Sequence, residues 1–415
     1  MKILFITDPF QVEPLGLGYL ASSVKRHGHI PELITTDRLT MDKVKEFKFI
    51  GYSITTGKHK RFLELNRQLK KEHNFTSIFG GSHPTYFPEM LREDGVDIII
   101  RGESESTLLK FLDEPFKGKC EMGFAPLEQN LDNLPLPDRE FLYTFKENRL
   151  NPIKNVMSSR GCRFSCPYCF NSLYRSFYKG ENWVRHRSVS NVIEECLELK
   201  KYNCKFIFFQ DDEFLTNPNL IDLLTVYKVK VGIPFHCQVR IELLTPTLAN
   251  QLKIAGCTGV TFAIESGCES FRKNVLKRNI SDGKILMGAK ILQEAGLKFR
   301  TENMIGLPGE TYKEMLATLK LNQQCKPTIG WASIFQPYPR LPLASNLGVD
   351  EFGESFFTDT IMNNKCRGSI VTLQRLFGLL VSHPGFRWLL SIPNNPLFNK
   401  ISTWFKQRRY NILFR

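Results

Sequence analysis

The chain has 415 residues, 42% hydrophobic and 24% charged, with a formal net charge of +14. That balance builds globular cores and, at this length, two or three domains. It excludes a bilayer-spanning protein, since no apolar run approaches ~20 residues. An odd cysteine total, eleven, with no secretory signal points to free thiols in a cytosol rather than a disulfide framework. Neither internal repeats nor low-complexity tracts occur.

Five short strand-like runs open the chain, at 2–7, 31–35, 47–54, 76–81 and 97–101, with helical stretches such as 17–27, 61–72 and 88–93 between them. The alternation predicts an α/β, flavodoxin-like doubly wound domain over 1–113, which binds ligands at the carboxyl edge of its sheet. Glycine turns there permit close approach of a ligand. The residues in question are Pro14 to Ala21 opening the first helix, Ser53 and Thr55 at the end of the third strand, Gly80, Gly81 and His83 at the end of the fourth, and Arg101-Gly102-Glu103 at the end of the fifth. Residues 114–150 lose periodicity and carry Pro135 and Pro137, so they are expected to form a linker laid over a surface.

The segment 151–345 opens with Gly161-Cys162-Arg163-Phe164-Ser165-Cys166-Pro167-Tyr168-Cys169, a CxxxCxxC spacing. Closely spaced thiolates hold iron–sulfur clusters, and a four-iron cluster normally takes four. Three leave one iron open to a small ligand, as open coordination does at catalytic zinc. A zinc knuckle is the plain alternative, but it needs a distant second pair that this chain lacks. One apolar run precedes the motif, at 155–159, and five follow it, at 205–210, 234–239, 258–264, 298–304 and 331–335, alternating with helical segments such as 189–201 and 282–295. They predict a partial (β/α)6 barrel whose active site lies at the strand carboxyl ends. Asp211 and Asp212, Arg240, Glu265-Ser266-Gly267 and Gly306-Leu307-Pro308-Gly309-Glu310 all fall there. Each has a plain reading too: an acidic pair after a strand caps a helix, and a Gly-Pro turn is common.

Residues 346–415 form a small, mainly helical C-terminal segment, and from Lys365 onward it holds nine lysines and arginines and no acidic residue. Phe377, Phe386, Trp388, Phe398, Trp404, Phe405, Tyr410 and Phe414 are interleaved with them. Such a stretch suits the surface of an anionic membrane, or a helical cap on the barrel. Nucleic acid ranks third, for want of a recognised binding module.

The cysteine motif, with Tyr168 before its last thiol, resembles the signature of the radical S-adenosylmethionine (SAM) enzymes. The later clusters resemble the DDxF, CxxR, IESG and GLPGE segments of one branch. The resemblance implies a 4Fe-4S cluster on Cys162, Cys166 and Cys169. It implies SAM held near Tyr168, with Asp211 and Asp212 near its amino group or ribose, Arg240 toward its carboxylate, Glu265 toward its ribose or the substrate, and Gly306 toward its adenine. The first domain is similar to the cobalamin-binding (B12-binding) domain of a large subfamily, which implies Ser53 and Thr55 on the dimethylbenzimidazole tail and space for it at Gly80 and Gly81. Histidine-ligating relatives carry DxHxxG, whereas here Phe10 stands two places after Asp8, where that histidine would be, so that histidine ligand to cobalt is missing.

The function so implied is a cobalamin-dependent radical SAM C-methyltransferase, cytoplasmic or peripherally bound at the membrane. Its partners would be a small-molecule, lipid-like or tetrapyrrole substrate and a flavodoxin or ferredoxin electron donor. Oxidative cyclisation or rearrangement without methyl transfer is the alternative within the class, and a noncatalytic corrinoid-binding protein the alternative outside it. A tRNA methylthiotransferase would carry three cysteines in its N-terminal domain, but none precedes Cys120.

Overall fold

The computed structural model describes residues 1–114, 118–338, 340–345, 367–392 and 396–413. They fall into two units, one of 1–155, 174–187 and 198–204, the other of 156–173, 188–197 and 205–415. Lys365, Cys366, Pro339 and Phe414 lie outside the described residues, as does the side chain of Tyr410.

The first unit is a parallel sheet of β1 (Lys2–Thr7), β2 (Ile30–Thr35), β3 (Phe49–Ser53), β4 (Thr76–Gly80), β5 (Ile98–Ile100) and β6 (Cys120–Met122), in the order β2-β1-β3-β4-β5-β6. Continuous apolar runs such as Ile3-Leu4-Phe5-Ile6 are buried, as expected of strands covered by helices on both faces. The strand order reverses between β1 and β3, the place where doubly wound sheets take ligands.

Residues 114–150 differ from the expected surface linker. They supply the edge strand β6 and two short helices, Arg139–Leu142 and Lys146–Leu150. Arg139, 2% exposed, donates to Glu13 Oε2 at 2.6 Å and to the Asn155 carbonyl at 2.8 Å, while the Tyr143 hydroxyl donates to Glu13 Oε1 at 2.8 Å. Three-residue strands and contacts spanning 126 residues leave no periodic trace in a local window.

The second sheet holds β7 (Ile153–Val156), β10 (Phe206–Phe209), β11 (Phe235–Gln238), β12 (Cys257–Glu265), β13 (Lys298–Ile305) and β14 (Ile329–Ile334) side by side in chain order. The two-residue strands β8 (Ser159–Arg160) and β9 (Arg185–His186) are separate from it. The sheet is a partial (β/α)6 barrel. Helices start where capping predicts: Thr311 and Glu314 form a reciprocal capping box for Tyr312–Cys325. Gly267 has a packing reason, since a Cβ there would lie 2.4 Å from Ala317 O and Thr318 Cα in that helix. The helix Arg367–Ser382 packs on β14 through Ile334, Leu376, Phe377 and Leu380.

Candidate functional site

In the second unit, Gly161 turns the chain with φ +88°, a conformation favourable only to glycine. Beyond it Cys162, Cys166 and Cys169 are half-buried and line one cavity of about 240 Å³ with Tyr168, Asp212 and Arg240. Burial lifts the Cys162 thiol above its ordinary range and the Cys169 thiol to about 12. Such thiols keep their protons until a metal displaces them. Among the described residues no three His, Cys, Asp or Glu side chains converge on a single-ion position, and no fourth cysteine or histidine lines the cavity. Three thiolates spread around one space fit a polynuclear cluster, one iron each, with a fourth iron left without a protein ligand.

The two aspartates after β10 have different surroundings. Asp211 is 0% exposed and accepts from Ser158 N at 3.1 Å, Ser158 Oγ at 2.7 Å and Ser159 Oγ at 2.5 Å. It does not line the cavity. Asp212 does, its carboxyl pushed up by burial and held back by a bond from Asn171. Tyr168 and Glu265 also line it. Burial lifts the Glu265 carboxyl to about 7, against the pull of Arg278. Glu265 has φ +68°, a left-handed backbone that a non-glycine residue adopts at a cost. The β12–β13 register shifts at the same place. Gly306, at φ +73°, lines no described cavity. It opens a turn in which Leu307 N donates to Glu310 Oε2 at 3.1 Å.

Arg240 is already engaged. It donates from Nε to Glu242 at 2.7 Å, lies 3.7 Å over the Phe164 ring and reaches the Cys166 sulfur at 3.7 Å. Sequence reasoning missed Arg278. It is 4% exposed, lines the cavity, and stands 3.9 Å from Glu265 and 3.8 Å from Glu242, beyond hydrogen-bond length. Its Nε is buried without a partner. A cation so placed is ready for an anionic ligand group. It follows the helix Glu269–Asn274, and nothing in its local pattern distinguishes it from a surface arginine.

A second cavity of about 550 Å³ shares Tyr168, Cys169, Asn171, Glu265 and Glu302 with the first. Beyond that rim stand Trp331, Tyr338 and Arg300, the last 2.9 Å from Glu302 and 4.7 Å from the Trp331 ring centre.

In the first unit a cavity of about 40 Å³ opens between β1, β3 and β4, lined by Gly51, Ser53, Gly80, Gly81 and, on its apolar side, Leu17 and Leu20. Thr55 is exposed and is not among the lining residues. An added Cβ at Gly80 would meet only the Ile100 carbonyl, at 3.9 Å, so the glycine keeps the space open. Apolar walls with Ser53 and Ser104 fit a flat ring carrying one polar atom. The volume is near one water's share of ~30 Å³, too small for such a ring while the lining side chains stand as they do. Asp8 is held by Lys58 and Arg61, and His59 stacks on His83 with ring centres 3.9 Å apart.

Comparison with known proteins agrees with this architecture. The B12 binding domain model matches residues 1–112, and the radical SAM superfamily model matches 156–321. The chain is 29% identical over 379 residues to the uncharacterized methyltransferase PH0819 of Pyrococcus horikoshii, covering 82% of this chain and 81% of the other. It is 22% identical to the anaerobic magnesium-protoporphyrin IX monomethyl ester cyclase of Rubrivivax gelatinosus, covering 87% and 73%. The fold matches the radical S-adenosylmethionine methyltransferase TsrM of Kitasatospora setae, solved with cobalamin and a 4Fe-4S cluster bound, with TM-score 0.69, 14% identity and coverage of 83% and 77%. A B12-binding domain ahead of a partial barrel with a three-cysteine cavity defines a class of enzyme. This chain carries an N-terminal B12-binding domain followed by a radical SAM domain. No described helix is long and apolar enough to cross a membrane.

Proposed function

We propose that the chain is a cobalamin-dependent C-methyltransferase acting on an unactivated carbon of a small molecule. The observation that carries this reading is the cavity lined by three thiols and no fourth cysteine or histidine, in a chain that also bears a B12-binding domain. Its similarity to PH0819, named a methyltransferase, supports it.

When bound, the cofactors supply a 5′-deoxyadenosyl radical that removes hydrogen from carbon and a methyl group to replace it. Cys162, Cys166 and Cys169 would hold the cluster. Asp212 would accept from the amino group of SAM, and Arg278, buried without a hydrogen-bond partner at its Nε, would take the carboxylate. Glu265 would offer its carboxyl, lifted by burial to about 7, to the ribose beside Tyr168. Asp211 would act one step back, fixing Ser158 and Ser159, and Gly306 would shape the turn beside the adenine. In the first unit Ser53, Gly80 and Gly81 would receive the cobalamin tail, with Thr55 at the rim. Apolar side chains lining the thiol cavity, Phe164 and Phe262 among them, would help exclude water from a reactive carbon.

The partners of this reading are a small-molecule substrate, lipid-like or tetrapyrrole in character, a flavodoxin or ferredoxin electron donor, and a membrane surface met from the cytoplasm. The similarity to the cyclase supports a second reading, ring closure or rearrangement without methyl transfer. Anaerobic reconstitution followed by SAM and reductant tests both: 5′-deoxyadenosine is expected. In extracts a product heavier by one methylene supports methyl transfer, and a product that has only lost hydrogen supports the cyclase. No deoxyadenosine under several reductants would leave a noncatalytic corrinoid protein.

A further inference from the structure

The C-terminal helices divide their apolar side chains between two faces. Phe377, Phe398 and Phe405 are 0%, 4% and 9% exposed, the first two within the core against β14. Phe386, Trp388, Leu397 and Trp404 are 45%, 60%, 55% and 61% exposed. Single exposed apolar residues are ordinary, but four large ones within nineteen positions are a concentration that calls for an explanation.

Helical spacing arranges part of this surface. In the helix Pro396–Leu413, Leu397, Lys400, Trp404 and Arg408 are three, four and four residues apart, so they share one face. All four are exposed, and Arg408 lies 5.5 Å from the Trp404 ring centre. Phe398, Ser402 and Phe405, on the adjoining face, are buried. Arg387 stands exposed between Phe386 and Trp388. From residue 365 onward no aspartate or glutamate offsets these cations.

We propose that this face, Phe386, Trp388, Leu397 and Trp404 with Arg387, Lys400 and Arg408, rests on an anionic phospholipid bilayer. Indole and phenyl rings settle at the boundary between headgroups and acyl chains, where an apolar body and a polar edge are both satisfied. The guanidinium and ammonium groups meet lipid phosphates. A second copy fits less well, because a self-complementary contact sets this all-cationic face against itself. Nucleic acid fits less well too, because Leu397 offers no ring for stacking beside the aromatic side chains. The proposal rests on the peripheral reading above and is independent of the chemistry at the thiol cavity.

The test is flotation of the full-length, reconstituted protein with phosphatidylcholine vesicles and with vesicles of equal phosphatidylcholine and phosphatidylglycerol. Flotation is expected with the anionic vesicles alone, and loss of it in high salt. Trp388→Ser with Trp404→Ser, and separately Arg387→Glu with Lys400→Glu and Arg408→Glu, should each lower the partition coefficient tenfold or more with unchanged circular dichroism. If wild type floats with neither vesicle, both the proposal and the peripheral reading fall. If it floats and the variants float equally, the peripheral reading stands and this face is the wrong one. Concentration-dependent dimerisation abolished by the same variants, or tighter binding to an oligonucleotide than to vesicles, would overturn the lipid assignment.

Discussion

The guanidinium of Arg240 donates to the sulfur of Cys166 at 3.7 Å while Glu242 and the Phe164 ring hold it in place. A cation beside a cluster thiolate favours the more negative, reduced state. Arg240→Gln is therefore expected to bind as much iron as wild type, with the cluster's midpoint potential moved to more negative values. Redox titration followed by electron paramagnetic resonance reads this directly. An unchanged potential with weakened SAM binding would return Arg240 to the carboxylate role that the CxxR resemblance implies.

Asp211 and Asp212 are expected to separate in their effects. Asp211→Asn sets an amide against the Ser158 N–H and should cost ~2 kcal/mol of stability, with less iron retained after gel filtration. Asp212→Asn should leave thermal unfolding within a degree or two of wild type and raise the Kd for SAM severalfold. Equal loss of stability in the two variants would contradict this division.

The buried pair Glu13–Arg139, with side chains 4% and 1% exposed, should behave as a unit. Arg139→Met leaves a carboxylate stranded in the interior and is expected to cost ~3–5 kcal/mol. Adding Glu13→Gln should recover part of that loss, which denaturant melts of the single and double variants will show.

Burial lifts the Glu310 carboxyl from 4.5 to about 7, despite hydrogen bonds from the Leu307 and Gly306 backbone. A folded value above the unfolded one means that the protonated carboxyl is favoured by folding. That contribution is complete below 4.5 and is lost as pH rises through about 7. Between about pH 5 and pH 8 the wild-type Tm should fall by a few degrees relative to Glu310→Gln. Parallel curves would show that Glu310 is not the titrating group.

Much of this was legible because parallel strands covered on both faces appear as plain apolar runs, and because three thiols at fixed spacing admit few chemistries. The runs at 2–7 and 298–304 correspond to β1 and β13 within a residue. Long-range polar partnerships were not legible. Nothing in Asp211-Asp212 says which carboxylate turns inward to the two serines, and Arg139 and Arg278 look like surface arginines until their distant partners are known. Thr55 follows Ser53 by the two-residue spacing of a strand, but β3 ends at Ser53 and the chain beyond it need not keep that alternation.

The backbone of Glu265 offers an experimental control of a kind rarely available in an enzyme. Its left-handed twist, φ +68°, is held by its neighbours against the preference of any L side chain, at roughly 1–2 kcal/mol. Glycine would relax that tension while deleting the carboxyl group. Such a protein also leaves the buried Arg278 without the carboxylate 3.9 Å away, so lost turnover counts as missing chemistry only where its unfolding midpoint matches that of wild type.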